Sequence, residues 1–460
     1  MTEQSNDSLS RRLPQVEQIL QAPSLQKHID QLSRPLVTAL VRQALAKIRA
    51  SETFRSEGVT EKAVWKAIHH ICDDQLQQRH QRVINATGTV IHTNLGRSPI
   101  DPDIWDAVKA ANTGYCNLEI KLNDGKRGQR KGIIPQLLTA LTSAEDSTVV
   151  NNNASAIYLL LSELASGKEV IVSRGEQIQI GGGFRIPDIL QQSGAILVEV
   201  GTTNITTADD YIDAVTENTA MVLMVHRSNF AIRGFTESPS IKEVADRLPK
   251  HVLLAMDQGC GMTTETFTDE PQVSSYLKSG ADLVCFSGDK IIGGPQAGII
   301  SGKRPLIKRI EKHPLMRAFR PCRMVYSMLE ELMIQKLNKK QAGSGIAEAT
   351  VNWVDQAQQK GAQLAENLNA LLADQPKRSV ELFQDQMMVG GGTTPDEYFP
   401  SWALELKLNQ RPDKLLETMR CWPTPVIGTI RDGRVILNMA TILPQDWSVL
   451  EQQLSNYLQS

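Results

Sequence analysis

Cysteine is scarce and scattered in this chain. Six cysteines lie among 460 residues, at 72, 116, 260, 285, 322 and 421, with no CxxC pair. That spacing excludes a disulfide frame and a zinc knuckle, so reduced thiols and no metal centre are expected. No run approaches the roughly 18 apolar residues that a membrane span requires. The opening MTEQSNDSLSRR lacks the apolar core of a signal peptide. A cytoplasmic protein without membrane contact is expected. Strong net charge is absent as well. At −2 overall, the chain carries no electrostatic footprint for nucleic acid. Residues 1–82 hold 12 Lys and Arg against 9 Asp and Glu, a balance of +3, and the remainder sums to −5. A solvated helical face accounts for this bias as well as an RNA contact does. Internal repeats and low-complexity tracts are also missing.

What is present is an ordinary globular composition, 41% hydrophobic and 22% charged, with length for two or three domains. Residues 1–82 read as a helical module. Apolar residues recur at helical spacing over 35–45, and Thr60 is a candidate N-cap for a second helix. From residue 83 short apolar runs alternate with helical stretches, at 147–152, 169–173, 195–201, 220–226, 251–257, 281–287 and 297–301. Seven such runs predict a mainly parallel sheet covered by helices on both faces, with binding residues at the strand ends. This large α/β domain spans 83–323. A connecting helix is expected at 324–341, and a small α+β domain at 342–460. The latter includes a strand at 402–406 and a hairpin at 426–437 turning on Asp432-Gly433.

One segment dominates the chemistry. Lys290 follows the apolar run 281–286 and stands in Ser287-Gly288-Asp289-Lys290-Ile291-Ile292-Gly293-Gly294. A lysine at a strand end, among small residues, has room for a flat aldehyde ligand held as a Schiff base, and pyridoxal phosphate fits best. Asp257 closes the run 251–256 and is placed to keep a pyridine nitrogen protonated. Asn153, Ala154 and Ser155 open a helix after the run ending at Val150, where backbone N–H groups suit a phosphate.

Arginines gather around these motifs. Arg97 follows Gly96, Arg130 closes a basic loop at 125–130, and Arg317 and Arg320 lie shortly after the lysine. Arginine presents a rigid fork of donors that matches tetrahedral oxyanions. The spacing of Arg317 and Arg320, three residues apart, suits one helix face, and a second anion would account for several arginines near one lysine; surface ion pairing is the simpler reading of these residues alone.

The chain resembles the bacterial selenocysteine synthases, the L-seryl-tRNA(Sec) selenium transferases. The resemblance is carried by INATGTVIHTNLGRSPI at 84–100, VVNNNASA at 149–156, VSRGEQIQIGGGFRIPDI at 172–189, VEVGTTN at 198–204, VHRSNFAIRGFT at 225–236, FSGDKIIGGPQAGIISGK at 286–303 and HPLMRAFR at 313–320. RRLPQVEQIL near the start and TPVIGTIRDGRVIL at 424–437 extend it over nearly the whole chain. It implies a fold-type-I pyridoxal phosphate-dependent transferase. Such an enzyme converts L-seryl-tRNA(Sec) to L-selenocysteinyl-tRNA(Sec) with selenophosphate, through an aminoacrylyl-tRNA intermediate. It further implies Lys290 as the Schiff-base lysine, Asp289 as its catalytic neighbour and Asp257 on the pyridine nitrogen. Asn153, Ala154, Ser155 and Ser287 would surround the cofactor. Arg97, Arg317 and Arg320 would form a selenophosphate pocket, with Arg130, Thr202 and Thr203 near the active site. The helical module would grip the tRNA, and the assembly would be a homodecamer, a ring of dimers.

The chain departs from the family pattern at several positions. Cys260 stands where serine is usual, Ile205 where arginine is usual, and Phe230 where tyrosine is usual. RAFRPCRM replaces RALRADKM at 317–324. A small-molecule ammonia-lyase on the same fold, acting on an amino acid or amino sugar phosphate, is the alternative. It has no need of residues 1–82.

Overall fold

The computed structural model describes residues 12–180, 183–227, 230–264, 266–267, 271–390 and 397–459. The motif residues Gly181, Gly182, Ser228 and Asn229, with Arg11 of the opening motif, lie outside them. The chain forms two compact units, Met1–Val83 with Pro423–Pro425, and Ile84–Trp422 with Val426–Ser460.

The first unit is helical because its apolar residues recur at 3.6-residue spacing. In the helix Arg34–Ala50 the buried positions are Val37, Leu40, Val41, Ala44 and Leu45, a single stripe. They pack with Leu25 of the helix Pro23–Leu32 and with Val64 and Ile68 of the helix Glu61–Gln77. Thr60 caps the last of these, its hydroxyl accepting from Ala63 N at 3.2 Å. The cap supplies a partner for one of the unpaired N–H groups of the first turn.

In the second unit the seven apolar runs become seven strands: β1 (Asp146–Val150), β2 (Glu169–Ser173), β3 (Ile196–Val200), β4 (Thr219–Val225), β5 (Leu253–Gly259), β6 (Leu283–Ser287) and β7 (Gly298–Gly302). Their order across the sheet is β1-β7-β6-β5-β4-β2-β3. All neighbours are parallel except at β7, which runs against both β1 and β6. Alternate residues feed opposite cores. Val222, Met224, Leu254, Met256, Val284 and Phe286 belong to one. Leu223, Val225, Ala255, Leu283 and Cys285 belong to the other. Helix Arg323–Leu337 covers the first core through Leu329, Leu332 and Met333, and helix Asn153–Leu164 covers the second.

The expected connecting helix at 324–341 is shorter, Arg323–Leu337. It stops because Lys339 turns left-handed, φ +54°, and the chain doubles back. Gly343 then lies so close to the helix that a Cβ there would meet Lys336 N at 2.2 Å. Beyond it a four-stranded antiparallel sheet is built from β8 (Ser379–Met388), β9 (Tyr398–Lys407), β10 (Thr429–Arg431) and β11 (Arg434–Asn438), in the order β8-β9-β11-β10. The β10–β11 turn is Asp432-Gly433 at φ +50° and +73°, the left-handed pair that a two-residue hairpin demands.

Candidate active site

The site is built at the C-terminal ends of β4, β5 and β6, where a parallel sheet opens its crevice. Asp257 stands near the end of β5 and is buried. Asn153, the first residue of helix Asn153–Leu164, donates through Nδ2 to Asp257 Oδ1 at 2.7 Å. Burial pushes the Asp257 carboxyl above its ordinary range, while the Asn153 bond and the nearby Lys290 and His226 hold it down. A cationic ring nitrogen arriving there would favour the ionised carboxylate.

Lys290 follows β6 in a loop closed on itself, since Gly288 N donates to Ala297 O at 2.8 Å and Gly294 N to Gly288 O at 2.8 Å. Burial pushes the Lys290 ammonium below its ordinary range; Arg97 adds to this, and Cys260, Asp257 and Asp289 oppose it. The amine is thus biased toward the neutral, nucleophilic form. Asp289 is buried beside it, with Arg97 Nη1 donating to Oδ2 at 2.9 Å. Arg97 reaches in from a tight turn in which Gly96 and Arg97 both take positive φ, +92° and +65°.

Two buried oxygens in this cluster, Asn153 Oδ1 and Asp289 Oδ1, have no hydrogen-bond partner among the described residues. Unsatisfied buried acceptors are costly and mark a place where a ligand's donors belong. The helix start offers an anion site beside them. Asn152 caps it by accepting from Ser155 N at 2.8 Å, and the N–H groups of Asn153 and Ala154 occupy the first turn, where no intrahelical partner exists. β7 presses against this turn so closely that a Cβ on Gly298 would stand 2.1 Å from Asn152 O. Ser287 closes β6, buried, and pairs in register with Gly298. An amine, a buried carboxylate and a helix N-terminus therefore converge as pyridoxal phosphate requires.

The arginines divide. Arg97 joins the lysine through Asp289. Arg130 and Arg320 meet on Glu119, Arg130 Nε donating to Oε1 and Arg320 Nη1 lying 3.7 Å from the same oxygen. Arg317 is exposed. The helix carrying it runs only from Met316 to Phe319, so Arg320, extended at ψ 124°, does not share its face. Pro321 is the reason, because the residue before a proline is driven out of the helical region. The segment still abuts the site: Asn151 N donates to Phe319 O at 2.9 Å, and Phe319 packs edge-on against Tyr158 at 5.8 Å. Thr202 and Thr203 lie after β3, three strands from β5 or about 14 Å at ordinary strand spacing. Thr202 is engaged in its own turn, bonding Ile205 O at 3.0 Å.

A family model described as L-seryl-tRNA selenium transferase matches residues 83–443. A second, described as selenocysteine synthase N terminal, matches residues 11–49. The chain belongs to the L-seryl-tRNA(Sec) selenium transferase family. It is similar to the protein of that name from Carboxydothermus hydrogenoformans, 36% identical over 461 residues that cover 98% of each chain. It is also similar to that from Geotalea daltonii, 38% identical over 459 residues, 97% of this chain and 99% of the relative. Among solved structures it is similar to a D-glucosaminate-6-phosphate ammonia-lyase, with TM-score 0.57 and 18% identity over 84% of this chain and 98% of that one. That last likeness is one of fold.

Within this selenium transferase family chain, two residues of the loop motifs at 173–176 and 226–230 have partners that only the fold brings to them. Glu176, in the SRGE motif, accepts from Val225 N at 3.0 Å and from the Tyr211 hydroxyl at 3.3 Å. Burial pushes its carboxyl up to about 7. His226 follows β4 and donates its backbone N–H to Asp257 O at 2.8 Å. A histidine directly after a buried strand was the available signal for the second. The first had none, because its partners are distant in sequence.

Proposed function

We propose that the chain converts L-seryl-tRNA(Sec) to L-selenocysteinyl-tRNA(Sec) with selenophosphate as selenium donor and pyridoxal 5'-phosphate as cofactor. The observation that carries the reading is near full-length likeness to relatives of that name, on a chain whose Lys290, Asp257 and helix N-terminus converge. When bound, the cofactor supplies an electron sink for the carbanion left when the seryl Cα loses its proton.

The residues then take these roles. Asp257 holds the pyridine nitrogen, steadied by Asn153. The N–H groups of Asn153 and Ala154, with the Ser155 and Ser287 side chains, surround the phosphate. Lys290 Nζ, whose ammonium burial pushes below its ordinary range, anchors the cofactor and accepts the Cα proton. Asp289, fixed by Arg97, stands beside Lys290 as its catalytic neighbour. Arg97, Arg317 and Arg320 receive the selenophosphate and Arg130 assists them, orienting selenium toward the β-carbon once the hydroxyl has left. Thr202 and Thr203 are assigned to the substrate side.

By the same reading residues 1–82 grip the tRNA, 83–323 hold the cofactor, 324–341 connect, and 342–460 form the C-terminal domain. The assembly is a cytoplasmic homodecamer, a ring of dimers. No helix among the described residues is long and apolar enough to cross a membrane.

The test is a single-turnover reaction of protein, seryl-tRNA(Sec) and selenophosphate, with the amino acid on the tRNA identified. Selenocysteine supports the reading. Unchanged serine, with cofactor bound, rejects it in favour of ammonia release from an amino acid or amino sugar phosphate. Loss of seryl-tRNA binding on deletion of residues 1–82 is expected in the first case alone.

A further inference from the structure

Glu119 is approached by three guanidinium groups. Arg130 Nε donates to Oε1, Arg127 Nη2 donates to Oε2 at 3.1 Å, and Arg320 Nη1 lies 3.7 Å from Oε1. Glu119, Arg127 and Arg130 belong to one hairpin-like loop, in which Ile120 pairs with Arg127 and Gly128 N donates to Glu119 O at 2.9 Å. Arg320 comes from the segment after the lysine loop, beside the helix start at Asn153. One carboxylate thus faces three fixed positive charges, an excess of two. The side chains of Glu119, Arg130 and Arg320 are 30%, 27% and 30% exposed, so an ion from solvent can reach the cluster.

We propose that Glu119 is a built-in counter-anion, which occupies Arg130 and Arg320 until a phosphate-bearing donor displaces it. The proposal rests on the reading above, in which these arginines serve a phosphate-bearing selenium donor. A phosphate oxyanion matches the arginine fork as a carboxylate does. It also brings more negative charge than the single charge it replaces, against an excess of two. The Arg130 bond, with Arg127 adding, holds the Glu119 carboxyl below its ordinary range, so it stays ionised in this role. In the donor's absence Glu119 keeps two like charges from facing each other unneutralised. The donor's apparent affinity is reduced by the work of displacing it.

The test is calorimetric titration of the full-length, cofactor-loaded protein with inorganic phosphate, for wild type, Glu119→Gln and Glu119→Asp. Glu119→Gln is expected to bind phosphate roughly three- to tenfold more tightly, the size of a partly exposed ion-pair network. Glu119→Asp keeps the charge and is expected to stay within about twofold of wild type. The KM for selenophosphate should fall in Glu119→Gln by the same factor as the phosphate constant. Unchanged or weaker phosphate binding in Glu119→Gln overturns the proposal, as a merely structural Glu119 would give. Tighter phosphate binding without any change in selenophosphate KM sustains the counter-anion and rejects selenophosphate as the ligand of this cluster.

Discussion

Asn153 and Asp257 are joined by a 2.7 Å hydrogen bond, so the first turn of a helix and the end of a central strand act as one support. Removing the amide leaves a buried carboxylate one donor short. Asn153→Ala is expected to weaken pyridoxal phosphate binding by about tenfold, since a hydrogen bond to a charged group contributes roughly 1.5–3 kcal/mol. Asp257→Ala should lose more, about a hundredfold in turnover at saturating cofactor. Cofactor titration followed by absorbance measures the first, and single-turnover rates the second. Equal affinity in wild type and Asn153→Ala would remove Asn153 from the cofactor's support.

Arg97 and Asp289 form a half-buried pair beside Lys290. Arg97→Ala leaves the buried Asp289 carboxyl without its cationic hydrogen-bond donor. A fall in kcat/KM of about tenfold or more is expected, with cofactor content unchanged. Undiminished kcat/KM in Arg97→Ala would mean that the pair does not serve the reaction.

Glu176 makes stability depend on pH. Its carboxyl is raised from 4.5 to about 7 by burial, so the folded chain binds the proton more tightly than the unfolded chain. The resulting stabilisation is full below 4.5 and is lost as pH rises through 7. It is on the order of 3 kcal/mol. Glu176→Gln keeps an acceptor for Val225 N and Tyr211 and has no proton to lose. Melting curves from pH 5 to pH 8 should show the variant gaining on wild type as pH rises. A constant difference across that range would refute the assignment.

Gly298 packs where no side chain fits. Gly298→Ala would drive its Cβ into Asn152 O, and backbone cannot yield as a flexible side chain would. A loss of about 3 kcal/mol in denaturant stability is expected, with weaker cofactor binding because the displaced turn is the one proposed to take the phosphate. Stability reduced with cofactor affinity intact would separate packing from the site.

Much of this architecture was legible in the sequence because its strands are nearly continuous apolar runs. The run 251–257 and the strand Leu253–Gly259 differ by two residues at each end. Asp257 and Lys290 were visible because each follows such a run, and the helix start because small polar residues precede an apolar stretch. Glu119 and Glu176 were not visible. Their roles depend on Arg320 and Val225, which are brought to them by tertiary folding alone. Arg320 itself was misplaced onto a helix face because spacing was weighed without the proline that follows it.

The antiparallel setting of β7 carries one more consequence. The consecutive pairs β2–β3, β4–β5 and β5–β6 are parallel neighbours joined by crossovers, but β6 and β7 are joined as a hairpin, with Ser287 opposite Gly298. Lys290 therefore rides on a short tether pinned at both ends to neighbouring strands. Little chain entropy remains to be lost in that backbone when a ligand is caught. The stretch that carries the lysine is held from both sides before any ligand arrives, and freedom to move is left to the side chain alone.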